Sequence, residues 1–169
     1  MASGDPVVQV LQAMPPGTLY ATEDVRAGGS TPAESLHVWD FDDTAAEYMD
    51  FLCVLRGYDG GGLTFTLPWM ATTATTNAVL WGAAIRRFVD DAEDIDGSHT
   101  YDFNNAAADT APSATGEQSY PTIAFTDGAD MDSWAEGEFA IVRVRRLPTD
   151  AGDTMAGDAE LLGIEGRET

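Results

Sequence analysis

The stretch GLTFTLPWM, residues 62–70, puts Leu63, Phe65, Leu67 and Trp69 at every second position, with Thr64, Thr66 and Pro68 between them. Successive side chains leave an extended chain on opposite faces, so this alternation predicts a half-buried strand with β-branched residues outward. Pro68 lacks an N–H and predicts an edge or a strand end. Working outward, EYMDFLCVL (47–55) places Met49, Phe51, Cys53 and Leu55 on one face, and AVLWGAAIRRF (78–88) does the same with Val79, Trp81, Ala83 and Ile85. LHVWDF (36–41), TYDF (100–103), YPTIAFT (120–126), EFAIVRVRR (138–146) and ELLGIEGR (160–167) complete a set of about eight strands.

The connections carry turn chemistry. RGYDGGG (56–62) reads as a tight hairpin whose glycines supply positive φ, and TDGADMDSWAEG (126–137) leaves room for one helical turn around Met131 and Trp134. No 10–15-residue helical pattern separates the strands, so a parallel sheet with crossover helices is excluded. The expected fold is all-β, an antiparallel β-sandwich of jelly-roll-like character over residues 36–169. Residues 1–35 are rich in Pro, Gly, Ser and Thr without sustained periodicity and are expected to form an extended N-terminal arm. Within it, VVQVLQAM (7–14) could pair as a strand with a neighbour, which makes Val7, Val8, Val10 and Leu11 interface candidates.

The 169 residues include 29 acids against eight bases, all of them Arg, for a formal net charge of -21. A globule of this size exposes about 8,000 Å², roughly one uncompensated negative charge per ~400 Å². Such a surface excludes binding to nucleic acid through phosphate neutralisation and disfavours anionic membranes. No apolar run reaches the ~20 residues of a bilayer span, and the N-terminus lacks the basic stretch of a secretory signal. With 44% hydrophobic residues and Trp39, Trp69, Trp81 and Trp134 spread along the chain, acidity does not mean disorder here. Asp-rich composition without Lys suits a protein working in high salt; the alternative is the product of a GC-rich genome. Residues 61–89 hold no acid and are expected to face inward, whereas 90–118 hold eight acids and no base and read as solvated loop.

Candidate chemistry is sparse. DDAEDIDG (90–97) offers Asp90, Asp91, Asp94 and Asp96 as calcium candidates, although an EF-hand register with Gly97 in the sixth place puts Ala92 first and Phe103 twelfth. His37 and His99 have no nucleophile motif nearby, and two histidines make a poor zinc site. Cys53 lies in the apolar run MDFLCVL and reads as a small buried hydrophobe. Close acids such as Asp40, Asp42 and Asp43, or Glu136 and Glu138, mean little in a chain with so many. The basic clusters Arg86–Arg87 and Arg143, Arg145, Arg146 stand at strand ends; they either pair with Asp on the sheet or contact an acidic partner subunit. No catalytic residue, no cofactor and no enzyme activity are expected.

The strings LHVWDFDDTAAE, RGYDGGGLTFTLPWMATTATT, TIAFTDGADMDSWAEGEFAIVRVRR and DTMAGDAELLGIEGRET resemble a family of small proteins encoded among the structural genes of tailed bacteriophages and related proviruses. The resemblance covers 36–169 and rests on the spacing of Gly60-Gly61-Gly62-Leu63, Trp69-Met70-Ala71, Gly128 with Met131-Asp132, and the run from Asp153 to Asp158. It implies a jelly-roll-type structural virion protein on the exterior of the capsid head: a decoration or cement protein, trimeric, bound to the major capsid protein. The alternative it leaves is a head or tail fibre domain that binds host-surface glycans through exposed Trp.

Overall fold

The computed structural model describes residues 4–169. Its strands, in chain order, are β1 (Val8–Met14), β2 (Thr22–Gly28), β3 (Glu34–Phe41), β4 (Glu47–Leu55), β5 (Leu63–Thr66), β6 (Trp69–Ala71), β7 (Ala78–Val79), β8 (Trp81–Phe88), β9 (Asn104–Asn105), β10 (Asp109–Thr110), β11 (Thr122–Phe125), β12 (Phe139–Arg146), β13 (Ala159–Leu161) and β14 (Glu165–Glu168). The pairings among these strands are antiparallel, with one isolated parallel bridge between Tyr20 and Tyr48 outside them, and the molecule is the all-β sandwich expected from the alternating pattern.

One layer is the sheet β1-β4-β12-β8-β9; the other contains β2-β3-β13-β6 and β11-β5-β14, with β10-β7 as a small accessory pair. The layers meet through aromatic edges: Trp81 of β8 lies 5.0 Å from Phe41 of β3 and 6.1 Å from Trp69 of β6, both T-shaped. Met49, Phe51, Cys53 and Leu55 face inward from β4, as their spacing predicts, opposite Ala140, Val142 and Val144 of β12. Burying each large apolar side chain of this kind contributes about 1.5–3 kcal/mol.

Two predicted strands are broken, for one reason. Pro68 has no N–H to extend a ladder, and the chain bends there, so GLTFTLPWM divides into β5 and β6 in different sheets. ELLGIEGR bends at the same level into β13 and β14, which pair with β6 and β5, and the Leu162 N–H donates to the Pro68 carbonyl at 2.9 Å. TYDF is not a strand; the pairing lies just beyond it, at Asn104–Asn105. RGYDGGG is not a hairpin either, because β4 pairs with β1 and β12 while the turn crosses to β5 in the other layer. Gly60, Gly61 and Gly62 do have φ of 112°, 108° and 98°, and a Cβ on Gly62 would collide with the Phe125 carbonyl oxygen. The loop 126–137 holds a single 3-10 turn, Ala129–Met131, that seats Met131 and Trp134 in the core.

The extended arm is a correction. Residues 1–3 lie outside the described part, but from Gly4 onward the segment is folded onto its own sandwich: β1 pairs with β4, β2 pairs with β3, and Val7 and Ala21 are core residues. Both strands expose nearly every side chain, and a bulge at Leu11 shifts the β1 register, so neither shows the period of two that marks a half-buried strand.

Candidate interaction surface

Five of the arginines set the electrostatics of the five-stranded sheet. Along β12, Ala140, Val142, Val144 and Arg146 point inward, while Phe139, Ile141, Arg143 and Arg145 point outward. Arg146 is completely buried, yet every donor direction of its guanidinium is used. Nε and Nη2 donate to the two Asp153 oxygens at 3.0 Å each, Nη2 to the Met155 carbonyl, and Nη1 to the carbonyls of Gly157 and Phe41. Asp153 also accepts the Leu80 N–H. The run from Asp153 to Asp158 is therefore the receptor for this one side chain.

The other four stay within the chain as well. Arg143 makes a two-pronged pair with Asp50 at 2.6 and 2.7 Å and lies 4.1 Å over the Tyr101 ring. Arg145 lies 3.8 Å over Phe103. Arg86 is buried and donates to the carbonyls of Asp94 and Gly97, and Arg87 donates to the Ser133 carbonyl. Of the two roles open to the interface candidates, Arg86, Arg143 and Arg146 take the internal one: their charge serves acceptors of this chain, because burial without such partners would be prohibitive.

These contacts tie residues 94–103 down over the outer face of the sheet, at the β9 end. The acidic segment read as solvated loop does expose the acids of 90–97, and it is anchored by cations beneath it. The other half of the face stays open. There Leu52 of β4 and Ile141 of β12 stand side by side in register, as do Phe139 and Phe88 of β8. Met14, Ile95 and Phe139 are 67%, 63% and 43% exposed around them. Two connected depressions, about 270 and 750 Å³, share Leu52 and Phe88 as lining. Asp90, Asp91 and Glu138 form the acidic lip of the larger one.

Beside this face runs the β1 edge. Val7 is buried and Val8 packs against Gly166, so these two candidates are structural, whereas Val10 and Leu11 are exposed. No charged residue occurs from Pro6 to Thr22, in contrast to the edge strand β2 with Glu23, Asp24 and Arg26. Edge strands are commonly protected by charge; β1 has only its bulge and the Pro15–Pro16 stop.

The acids gather elsewhere than the sequence suggests. Asp90, Asp91, Asp94 and Asp96 do not form a group of converging carboxylates; all four are exposed, and Asp94 accepts the Asp96 N–H in a local turn. Among the described residues, groups of three carboxylates converge to within 4.8 Å in two other places, Asp24 with Asp40 and Glu160, and Asp42 with Asp43 and Asp158. Glu160, almost fully buried, is held by the Arg26 guanidinium at 3.1 and 3.2 Å. Burial, then the neighbouring charges of Glu160, Asp158, Asp24 and Glu47, push the Asp40 carboxyl up to about 6. Asp42 is held below the usual range by hydrogen bonds from Thr44 and Ala45, and Asp43 accepts the Gly157 N–H. Strand pairing across β2, β3 and β13 makes the first group, and distance along the chain hides it.

The remaining reactive types have quiet surroundings. His37 bonds Glu23 on the exposed side of β2 and β3, and His99 packs edge-on against Tyr101. Burial pushes the Cys53 thiol up to about 12, which keeps it protonated and unreactive. All four Trp are buried, none more than 7% exposed.

The fold and surface define an acidic antiparallel β-sandwich with one apolar face left uncovered. No family model matches the chain, and no curated protein matches it. Among solved structures, the enzymatically active domain of tailspike protein 4 from bacteriophage CBA120 superposes with a TM-score of 0.40 at 11% identity, over 94% of this chain and 19% of that chain. The chain therefore spans about a fifth of that protein's length. A superposition this loose transfers neither an activity nor site residues.

Proposed function

We propose that the chain is a non-enzymatic structural component of a tailed virus particle, a decoration or cement protein on the exterior of the head that binds the major capsid protein lattice. The observation that carries the reading is the uncovered apolar half of the five-stranded sheet on a chain of net charge -21. Patches of this kind mark interaction surfaces, since exposed apolar area on a charged molecule is otherwise disfavoured. The sequence resemblance to small phage and provirus structural proteins supports the same reading. Self-association, as a trimer, belongs to it, with the uncharged β1 edge as the surface where copies approach without like-charge repulsion.

Binding of host glycans by a fibre domain would use exposed Trp rings as stacking platforms. Burial of Trp39, Trp69, Trp81 and Trp134 favours the decoration reading over it. The test is co-sedimentation of the purified chain with virus heads stripped of it by low salt. The expected result is saturable rebinding and a higher temperature of head disruption. A chain that stays in the supernatant at every concentration would refute the proposal.

A further inference from the structure

The open half of the outer sheet face also indicates what it grips. Its floor is Leu52, Ile141 and Phe88, with Met14, Ile95 and Phe139 standing around it. Its lip is negative: the exposed Asp90 and Asp91 border the larger depression, beside Glu138, whose carboxylate lies 4.0 Å from the Arg87 guanidinium. The arginines of the sheet beneath are already committed, Arg143 to Asp50, Arg86 to the carbonyls of Asp94 and Gly97, and Arg87 to the Ser133 carbonyl and the Glu138 carboxylate. The face therefore offers apolar area and acceptors but no uncommitted guanidinium to receive an anion. A second copy seated here would set its own Asp90 and Asp91 against the same acids, in a pair with twice the net charge of -21.

We propose that this groove is a docking site for a segment of a different protein that presents aliphatic or aromatic side chains flanked by Lys or Arg. The inference rests on the reading of the chain as an assembly component and adds the chemistry of its partner. The apolar anchors fill the depression over Leu52 and Phe88, and the flanking cations meet the acidic lip. Apolar burial supplies most of the affinity, whereas the charges set orientation and partner choice.

The test is calorimetric titration of the full chain with three synthetic peptides at about 0.15 M NaCl, where charges farther apart than about 8 Å are screened but contacts at the lip are not. The first is Ser-Lys-Leu-Arg-Phe-Arg-Leu-Lys-Ser. The second has Ser in place of Leu and Phe, and the third has Glu in place of Lys and Arg. The expected result is binding of the first at least about tenfold tighter than either other, a gap of about 1.4 kcal/mol. The double variant Phe139→Ser, Ile141→Thr should remove that preference, while Tyr120→Ser, an exposed aromatic beside β11, should leave it intact. Urea midpoints of both variants establish that each is folded. Equal binding of the first two peptides, equal binding of the acidic one, or a preference that survives the double variant would overturn the groove assignment. Such a failure with rebinding to heads intact overturns the groove alone, whereas loss of rebinding with the peptide preference intact overturns the capsid reading.

Discussion

Replacing Asp153 by Ala is the most informative perturbation of the fold, because one carboxylate holds together β8, β12 and the segment leading into β13. It accepts Arg146 Nε and Nη2 at 3.0 Å each and the Leu80 N–H at 3.1 Å, and the Asp153 and Arg146 side chains are 1% and 0% exposed. Its removal leaves a cation in the core with two donors unpaired, and a buried backbone N–H besides. Loss of one partner of a buried pair costs about 3–5 kcal/mol. For a chain of this size each kcal/mol lowers Tm by about 2–4 °C, so the drop should be about 6–20 °C. The double variant Asp153→Leu, Arg146→Met removes both charges but orphans the carbonyls of Phe41, Met155 and Gly157, so it should recover part of the loss and not all of it. Urea unfolding followed by fluorescence of the four buried Trp is the assay, urea being uncharged. The loss should be the same at about 0.15 M and 1 M NaCl, because a pair sealed from solvent is not screened. A loss under about 1 kcal/mol, or one that disappears in high salt, would refute the reasoning.

Asp40→Asn should stabilise the protein at neutral pH. The folded carboxyl is raised from its ordinary 3.8 to about 6, so its contribution is unimpaired below the unfolded value and is lost as pH rises through the folded one. The Tm advantage of the variant should therefore be present at pH 7.5 and vanish near pH 4; an advantage independent of pH would contradict the assignment. Gly62→Ala should lose about 1–3 kcal/mol in the same urea assay, since φ of 98° and the Phe125 carbonyl both oppose a Cβ, whereas Gly60→Ala meets only the φ penalty and should lose less. Arg145→Ala removes the cation over Phe103, worth about 0.5–2 kcal/mol, and should speed amide hydrogen exchange over residues 99–105 while β4 and β12 stay protected.

What the sequence made legible was whatever repeats with period two on a half-buried surface. β4 and β8 fall where Met49, Phe51, Cys53, Trp81, Ala83 and Ile85 alternate, and the inward face of both is the one the pattern marks. β1 was legible only as a stretch able to pair with a neighbour, where it pairs with β4 of its own chain, and β2 was not legible at all, because edge strands exposed on both faces carry no alternation. The bends at Pro68 and Leu162 were hidden in part: proline announced one, but its partner follows only from pairing across nearly the whole chain. Arg146 looked like any cation at a strand end; its position on the inward face, two residues from Val144, was the available signal for burial. The carboxylate groups around Asp40 and Asp42 depend on strand register and could not be read from spacing. The open apolar face was visible only as unremarkable residues, Leu52, Phe88, Phe139 and Ile141, until the sheet placed them side by side.

The central claim is that this sandwich is a coat component whose uncovered sheet face is turned toward a partner surface. Cryo-electron microscopy of purified virus particles that carry the chain tests it most directly. The account predicts repeated sandwich density on the outside of the head, with Leu52, Phe88, Phe139 and Ile141 against the capsid lattice and the acidic surface toward solvent. Heads without that density, or a sandwich whose five-stranded sheet faces outward, would contradict it.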